Sequence, residues 1–259
     1  ISGGRWSTMS AAAAGVYKVI YTPIKAGLVK FTAAVANLTP VSTQQLRIVP
    51  ADVSLAKSQL SISKNQLKFG ESAQLIFSLS DAYDNKISCK ASQVALITAG
   101  LDGASFAQVG NVGATITEDA STGNCSMTFT ATGSGKVSFT GRANENTLTS
   151  AAIVLEVENS APTISSIAAQ SIAQDTSTSA ISFQIADLET SPSNLALSAS
   201  SSNTAVLPAQ GIVLGGSAGN RTISLTPAAG HAGTSTVSLT VTDGAGSSTS
   251  LSFVLTVTP

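Results

Sequence analysis

Ser72-Ala73-Gln74-Leu75-Ile76-Phe77-Ser78-Leu79-Ser80 sets Leu75, Phe77 and Leu79 in alternation with Ile76, Ser78 and Ser80. Side chains two apart share a face of a strand, so this stretch predicts a β-strand with one apolar face turned to a core. The same period recurs in both directions. Toward the start, Tyr17, Val19 and Tyr21 alternate with Lys18, Ile20 and Thr22, and Val29, Phe31, Ala33 and Val35 follow a turn at Lys25-Ala26-Gly27. Toward the end, Val237, Leu239 and Val241 alternate with Ser238, Thr240 and Thr242, and Leu251, Phe253, Leu255 and Val257 share a face of the last strand. No segment sustains a helical period, and Ala11–Ala14 is too short to nucleate a helix. Turn residues at Asp84-Asn85, Asp102-Gly103, Gly133-Ser134-Gly135, Gly215-Gly216 and Asp243-Gly244 punctuate the strands. That punctuation suits antiparallel strands closed into two stacked sheets.

The chain has 259 residues, too many for one small sandwich and suited to two or three domains. Hydrophobic residues make up 43% of it, enough to build cores, while charged residues are only 10%. Ser and Thr fill the polar positions, as strand faces that meet water allow. No run of apolar residues is long enough for a membrane helix. The first residue is Ile1 and no signal segment precedes it, so the chain reads as an excised or mature piece whose export signal lies elsewhere. A net charge of −1 excludes nucleic-acid binding driven by bulk positive charge.

Charge is unevenly spread. Residues 1–50 hold Arg5, Lys18, Lys25, Lys30 and Arg47 and no acid, whereas beyond residue 159 the charges are Asp175, Asp187, Glu189, Arg221 and Asp243. A basic surface for an acidic partner is one reading. Half of a domain whose acids lie in its other half is the other.

Two boundaries stand out, at Val49-Pro50-Ala51-Asp52 and at Glu158-Asn159-Ser160-Ala161-Pro162. Each is short and contains Pro, so neighbouring domains are expected in a semi-extended row.

Residues 51–158 resemble the invasin and intimin type of bacterial Ig-like domain. Ser72–Ile87 carries the match, with its strand running into Asp81-Ala82-Tyr83-Asp84-Asn85 and Asp84 standing where that family has Gly. Thr122-Gly123-Asn124, Met127, Phe129 and Gly135–Gly141 look like the family's final hairpin. Residues 1–50 look like the C-terminal half of another such domain, through Gly15–Pro23 and Ala26–Ala33. Residues 159–259 resemble a different module, the cadherin-like or Ig-like repeat of large bacterial adhesins, through Ala186–Thr190, Asn220–Ala228 and Val241–Gly244. The resemblance implies an all-β fold of tandem immunoglobulin-like antiparallel β-sandwiches in an elongated array. It also implies an extracellular setting, on a bacterial surface or secreted, and a non-enzymatic role in cell adhesion. Two roles stay open. One is a stalk whose partners are the other Ig-like repeats of the same protein. The other is a module that itself docks on a host-cell receptor, glycan, filament or, from a phage virion, a cell surface.

Candidate chemistry is sparse. Cys89 and Cys125 are the only cysteines, and in an exported protein an even pair favours a disulfide, with two buried free thiols as the alternative. His231 is the only histidine and sits between glycines in Ala229-Gly230-His231-Ala232-Gly233, which reads as a surface turn. A Ser–His–Asp site would need it beside a nucleophile and a buried acid, and no Gly-x-Ser-x-Gly elbow is expected to present the serine. Zinc would need more His or Cys than the chain owns. Asp187, Glu189 and Asp243 are candidate calcium ligands, since cadherin-like modules often hold the ion at their ends and calcium takes several hard oxygens. Their competing reading is as turn formers that bind their own backbone. An isopeptide bond is excluded in the last domain, which has no lysine. Trp6, Tyr17, Tyr21 and Tyr83 are the aromatic candidates for a sugar-binding face, with Tyr17 and Tyr21 also readable as core or edge packing.

Overall fold

The computed structural model describes residues 3–14, 16–32 and 43–259. The strand Ser72–Ser80 lies inside the first sheet of a middle sandwich, and Ala73, Leu75, Phe77 and Leu79 are all buried. It pairs antiparallel with Asn124–Ala131, with Gln59–Ile62 and, at its end, with Lys86–Ile87. The facing sheet runs Val94–Leu101, Gly135–Ala143, Ile153–Val157 and Gln66–Leu67, the last pair parallel. Between the sheets Phe129 meets Phe139 edge-on at 5.4 Å. Phe106, from the four-residue helix Phe106–Val109, meets both rings at 5.9 and 5.8 Å. Each such side chain fully removed from water contributes roughly 1.5–3 kcal/mol, so the alternation seen in the sequence is what closes this core.

A last sandwich repeats the principle with other strands. One sheet runs Thr163–Ile164, Ile181–Ala186, Asn220–Leu225, Ile212–Ser217, and the other Gln170–Ala173, Ser248–Thr258, Gly233–Thr242, Ala196–Ser201. Phe183, Leu207, Ile223, Leu225, Val237, Leu239, Val241, Phe253 and Leu255 fill the space between them. As expected, Phe253, Leu255 and Val257 share the inward face of the last strand, with Leu251 half-buried at its outer end.

The N-terminal segment is built differently. Among the described residues it holds three separate two-stranded ladders: Gly4–Trp6 with Tyr21–Pro23, Ser10–Ala13 with Val16–Lys18, and Gly27–Thr32 with Thr43–Ile48. The single strand expected over Tyr17–Tyr21 is broken at Val19-Ile20, because its two ends pair with different partners. Trp6, Tyr21 and Phe31 stack into a small ring cluster, with centroids 4.7 to 5.6 Å apart. Tyr17 is 70% exposed and belongs to no core. Met9, Val16, Ile20, Leu28, Leu46 and Val49 are exposed too. Ala33 and Val35, expected to continue the strand from Val29, lie outside the described residues.

Cys89 and Cys125 form a disulfide, with Cα atoms 5.5 Å apart. Cys125 is on the central strand Asn124–Ala131, and Cys89 is in the segment crossing to the second sheet just after Lys86–Ile87. The bond therefore ties the crossover to the middle of the first sheet.

Candidate functional site at the joints between sandwiches

Buried carboxylates gather polar groups at both places where neighbouring units meet. At the first joint the strand Ser72–Ser80 ends and Asp81 turns inward, with 1% of its surface exposed. One carboxylate oxygen, Oδ1, accepts the backbone N–H groups of Tyr83 and Asn85, both at 2.9 Å. The other accepts the N–H of Ala51 at 2.9 Å and the side-chain amide of Asn85 at 2.8 Å. Asn85 then reaches into the N-terminal segment. Its amide donates to the carbonyl of Ile24 at 3.2 Å and its oxygen accepts the N–H of Ala26 at 2.7 Å. Burial pushes the Asp81 carboxyl up, but the Asn85 amide and the N–H groups of Ala51, Asn85 and Tyr83 together outweigh it and hold the group below its usual range.

At the second joint the strand Gly233–Thr242 runs into Asp243, 6% exposed. Its Oδ1 accepts the N–H groups of Ala245 and Ser247 at 2.9 and 2.8 Å. Its Oδ2 accepts the side-chain amide of Asn159, in the connecting segment, at 2.7 Å. The Asn159 oxygen in turn accepts the hydroxyl of Ser134 from the middle sandwich at 3.0 Å. Beside it Glu189 accepts both the N–H and the hydroxyl of Ser160, at 3.2 and 3.0 Å. The Glu189 loop is shaped by Asp187, whose Oδ1 accepts the N–H groups of Glu189 and Thr190 at 2.9 and 2.6 Å. Asp102, Glu156, Glu158 and Glu189 line an open cleft of about 700 Å³ between the two sandwiches.

The three residues singled out for calcium are thus gathered at one joint, where their oxygens accept hydrogen bonds from loop and connecting segment. Among the described residues no group of three or more His, Cys, Asp or Glu side chains is placed to hold a metal ion. Asp187 Oδ2 is buried without a partner.

Other candidates do not converge. His231 is exposed, with Nδ1 2.9 Å from the Ala229 carbonyl oxygen in its own turn. Contrary to the expectation that no Gly-x-Ser-x-Gly occurs, Gly215-Gly216-Ser217-Ala218-Gly219 spells that pattern. It forms the end of the hairpin between Ile212–Ser217 and Asn220–Leu225, so Ser217 sits on a strand-to-strand turn and lacks the strand-to-helix elbow a nucleophile needs. Trp6 and Tyr21 are spent on each other, while Tyr17 and Tyr83 are exposed on separate elements. Sequence reasoning named Ser134 only as a turn residue and Asn159 and Ser160 only as part of a domain boundary. It named Asp81 and Asn85 only as turn residues.

Residues 159–256 match the family model described as bacterial Ig domain. No curated protein is similar enough in sequence to count as a relative. Among solved structures, the Escherichia coli adhesin FdeC aligns over 99% of this chain and 82% of its own, at 19% identity and a TM-score of 0.51. The Yersinia pseudotuberculosis adhesin InvE aligns over 78% and 60%, at 14% identity and a TM-score of 0.45. Invasin, described as a bacterial integrin-binding protein, aligns over 98% and 50%, at 17% identity and a TM-score of 0.46. The chain shares the Ig-like sandwich fold with the first of these, and its residues 159–256 are similar to the bacterial Ig domain.

Proposed function

We propose that this chain is a non-enzymatic stalk segment of a bacterial surface or secreted adhesin, divided as residues 1–50, 51–158 and 159–259, that spaces or presents an adhesive tip. The observation that carries this reading is the joint. Asp81 and Asp243 are buried acceptors spent on holding the neighbouring unit and the connecting segment. Polar groups invested in fixing one sandwich on the next serve a spacer and do nothing for catalysis. The disulfide agrees with an oxidising, extracellular compartment, and the likeness to an adhesin of the same fold agrees with the setting. Small-angle scattering of the whole chain tests it. An extended particle with its sandwiches in a row is expected, and a compact globule overturns the reading.

A second reading, direct docking on a receptor, glycan or filament, is favoured by the exposed apolar side chains of Met9, Val16, Tyr17, Ile20 and Leu28. It predicts saturable binding of this chain to target cells or filaments, competed by the intact protein. Absence of such binding removes it.

A further inference from the structure

The loops Asp81–Asn85 and Asp243–Ser247 follow one plan. In each, the first N–H donates to the fifth carbonyl, at 3.0 and 2.9 Å, and the fourth N–H donates to the first carbonyl, at 3.2 and 3.3 Å. In each, Oδ1 of the Asp is consumed by the third and fifth N–H groups. The fourth position takes a positive φ in both, 62° at Asp84 and 95° at Gly246. The turn thus uses up one carboxylate oxygen and leaves Oδ2 facing out of the loop, toward the joint.

That oxygen meets a carboxamide at both joints, but the two amides come from different places in the chain. Asn85 is the fifth residue of its own loop, and Asn159 belongs to the connecting segment. A carboxylate accepts only, so each amide must turn its nitrogen to the Asp, and its oxygen is then aimed the other way. At both joints that oxygen accepts from the preceding unit, from Ala26 N–H or from the Ser134 hydroxyl. Two unrelated placements of Asn that reproduce one polarity point to the relation between the groups as the thing being kept.

We propose that this carboxylate–carboxamide couple is the device that sets the angle between successive units, used twice in the chain. The inference rests on the stalk reading and deepens it. Charged neighbours differ at the two joints. Glu158, Glu156, Asp102 and Glu189 line the cleft by Asn159, whereas Asp84, paired with Lys57 at 3.1 Å, shares the Asn85 loop and Lys25 and Lys86 flank that contact in sequence.

The test is Asn85→Asp and Asn159→Asp, made singly in the whole chain, with spin-label pairs across each joint. Each replacement is nearly isosteric but sets a second carboxylate against the first. The wild-type distance distribution should be narrow at both joints. Each variant should broaden it at its own joint at neutral pH and restore it on mild acidification to about pH 5, when one proton is shared by the two carboxyls and the wild-type joint is still intact. Asn159→Leu should broaden the second joint at every pH. Variants that stay narrow at neutral pH, or whose broadening acid does not reverse, overturn the couple while leaving a rigid stalk standing. A broad wild-type distribution overturns the couple and the stalk together.

Discussion

Asn159 donates its side-chain amide to Asp243 at 2.7 Å across 84 positions of sequence, and so fastens the connecting segment to the end of a core strand. Asp243→Ala removes the acceptor for that amide and for the N–H groups of Ala245 and Ser247. Hydrogen bonds to a charged acceptor are worth about 1.5–3 kcal/mol and orphaned buried donors add to the loss. The last sandwich should lose about 2–3 kcal/mol, while the middle one is unchanged. Urea titration followed by amide signals from each sandwich measures both, and equal losses in the two would contradict a local role for Asp243.

Acid should release the first joint. The Asp81 carboxyl is held below its usual range in the folded chain, so it contributes stability that is complete above the unfolded value of about 3.9. That stability is lost as pH falls through the lower folded value. Amide signals of Ala26, Ala51 and Asn85 report the contact directly. They should hold steady from neutral pH down to about pH 4 and shift below it. Shifts centred near neutral pH would assign the change to some other group.

The fold was legible because Leu75, Phe77, Leu79 and their counterparts Val237, Leu239 and Val241 repeat with the strand period, and a half-buried sheet forces that period on its sequence. The cysteine pair was legible from inventory. The joints were not, because an Asn such as Asn159 has no periodic signature, and its partners Ser134 and Asp243 are 25 and 84 residues away. Asp187, Glu189 and Asp243 drew attention as acids beside turns. Composition alone does not distinguish an acid that awaits a cation from one that already accepts N–H and O–H groups. The N-terminal ladders misled for a similar reason: Tyr17 and Tyr21 alternate well, but the two ends of their run pair with different strands.

Calcium should leave the last sandwich unmoved. Both oxygens of Glu189 and both of Asp243 already accept hydrogen bonds from loop and connecting segment. Binding the ion would mean breaking them, with only Asp187 Oδ2 unclaimed. The Tm in about 1 mM calcium, the range that extracellular modules use, should match the Tm in chelator. A rise of several degrees would show that the carboxylates exchange their donors for the ion.

Asp84 and Gly246 hold the same left-handed position in matched loops, at φ 62° and 95°. Gly246→Ala would meet nothing within 4 Å of the new Cβ, so its cost is conformational alone, about 1–2 kcal/mol. Asp84→Val should cost a similar amount because a β-branched residue is poorly suited to that region. Asp84→Gly relieves the strain, loses only an exposed ion pair with Lys57, and should stay within about 0.5 kcal/mol of the wild type. The three variants, compared by denaturant midpoint, test whether the loops are equivalent. A destabilising Asp84→Gly would mean that its side chain matters more than its backbone.

The disulfide joins positions 36 apart, and closing a loop of that length restrains the unfolded chain by about 3–4 kcal/mol. Cys125 is fully buried and Cys89 nearly so, so reductant should reach the bond only through opening of the middle sandwich. Cys89→Ala with Cys125→Ala should therefore lower the stability of the middle sandwich by about 3 kcal/mol and leave the last sandwich as it was. In the native protein, thiol release under reductant should rise with denaturant in step with unfolding of the middle sandwich. Release that is fast and indifferent to denaturant would place the bond outside the core that Phe77, Phe129 and Phe139 close.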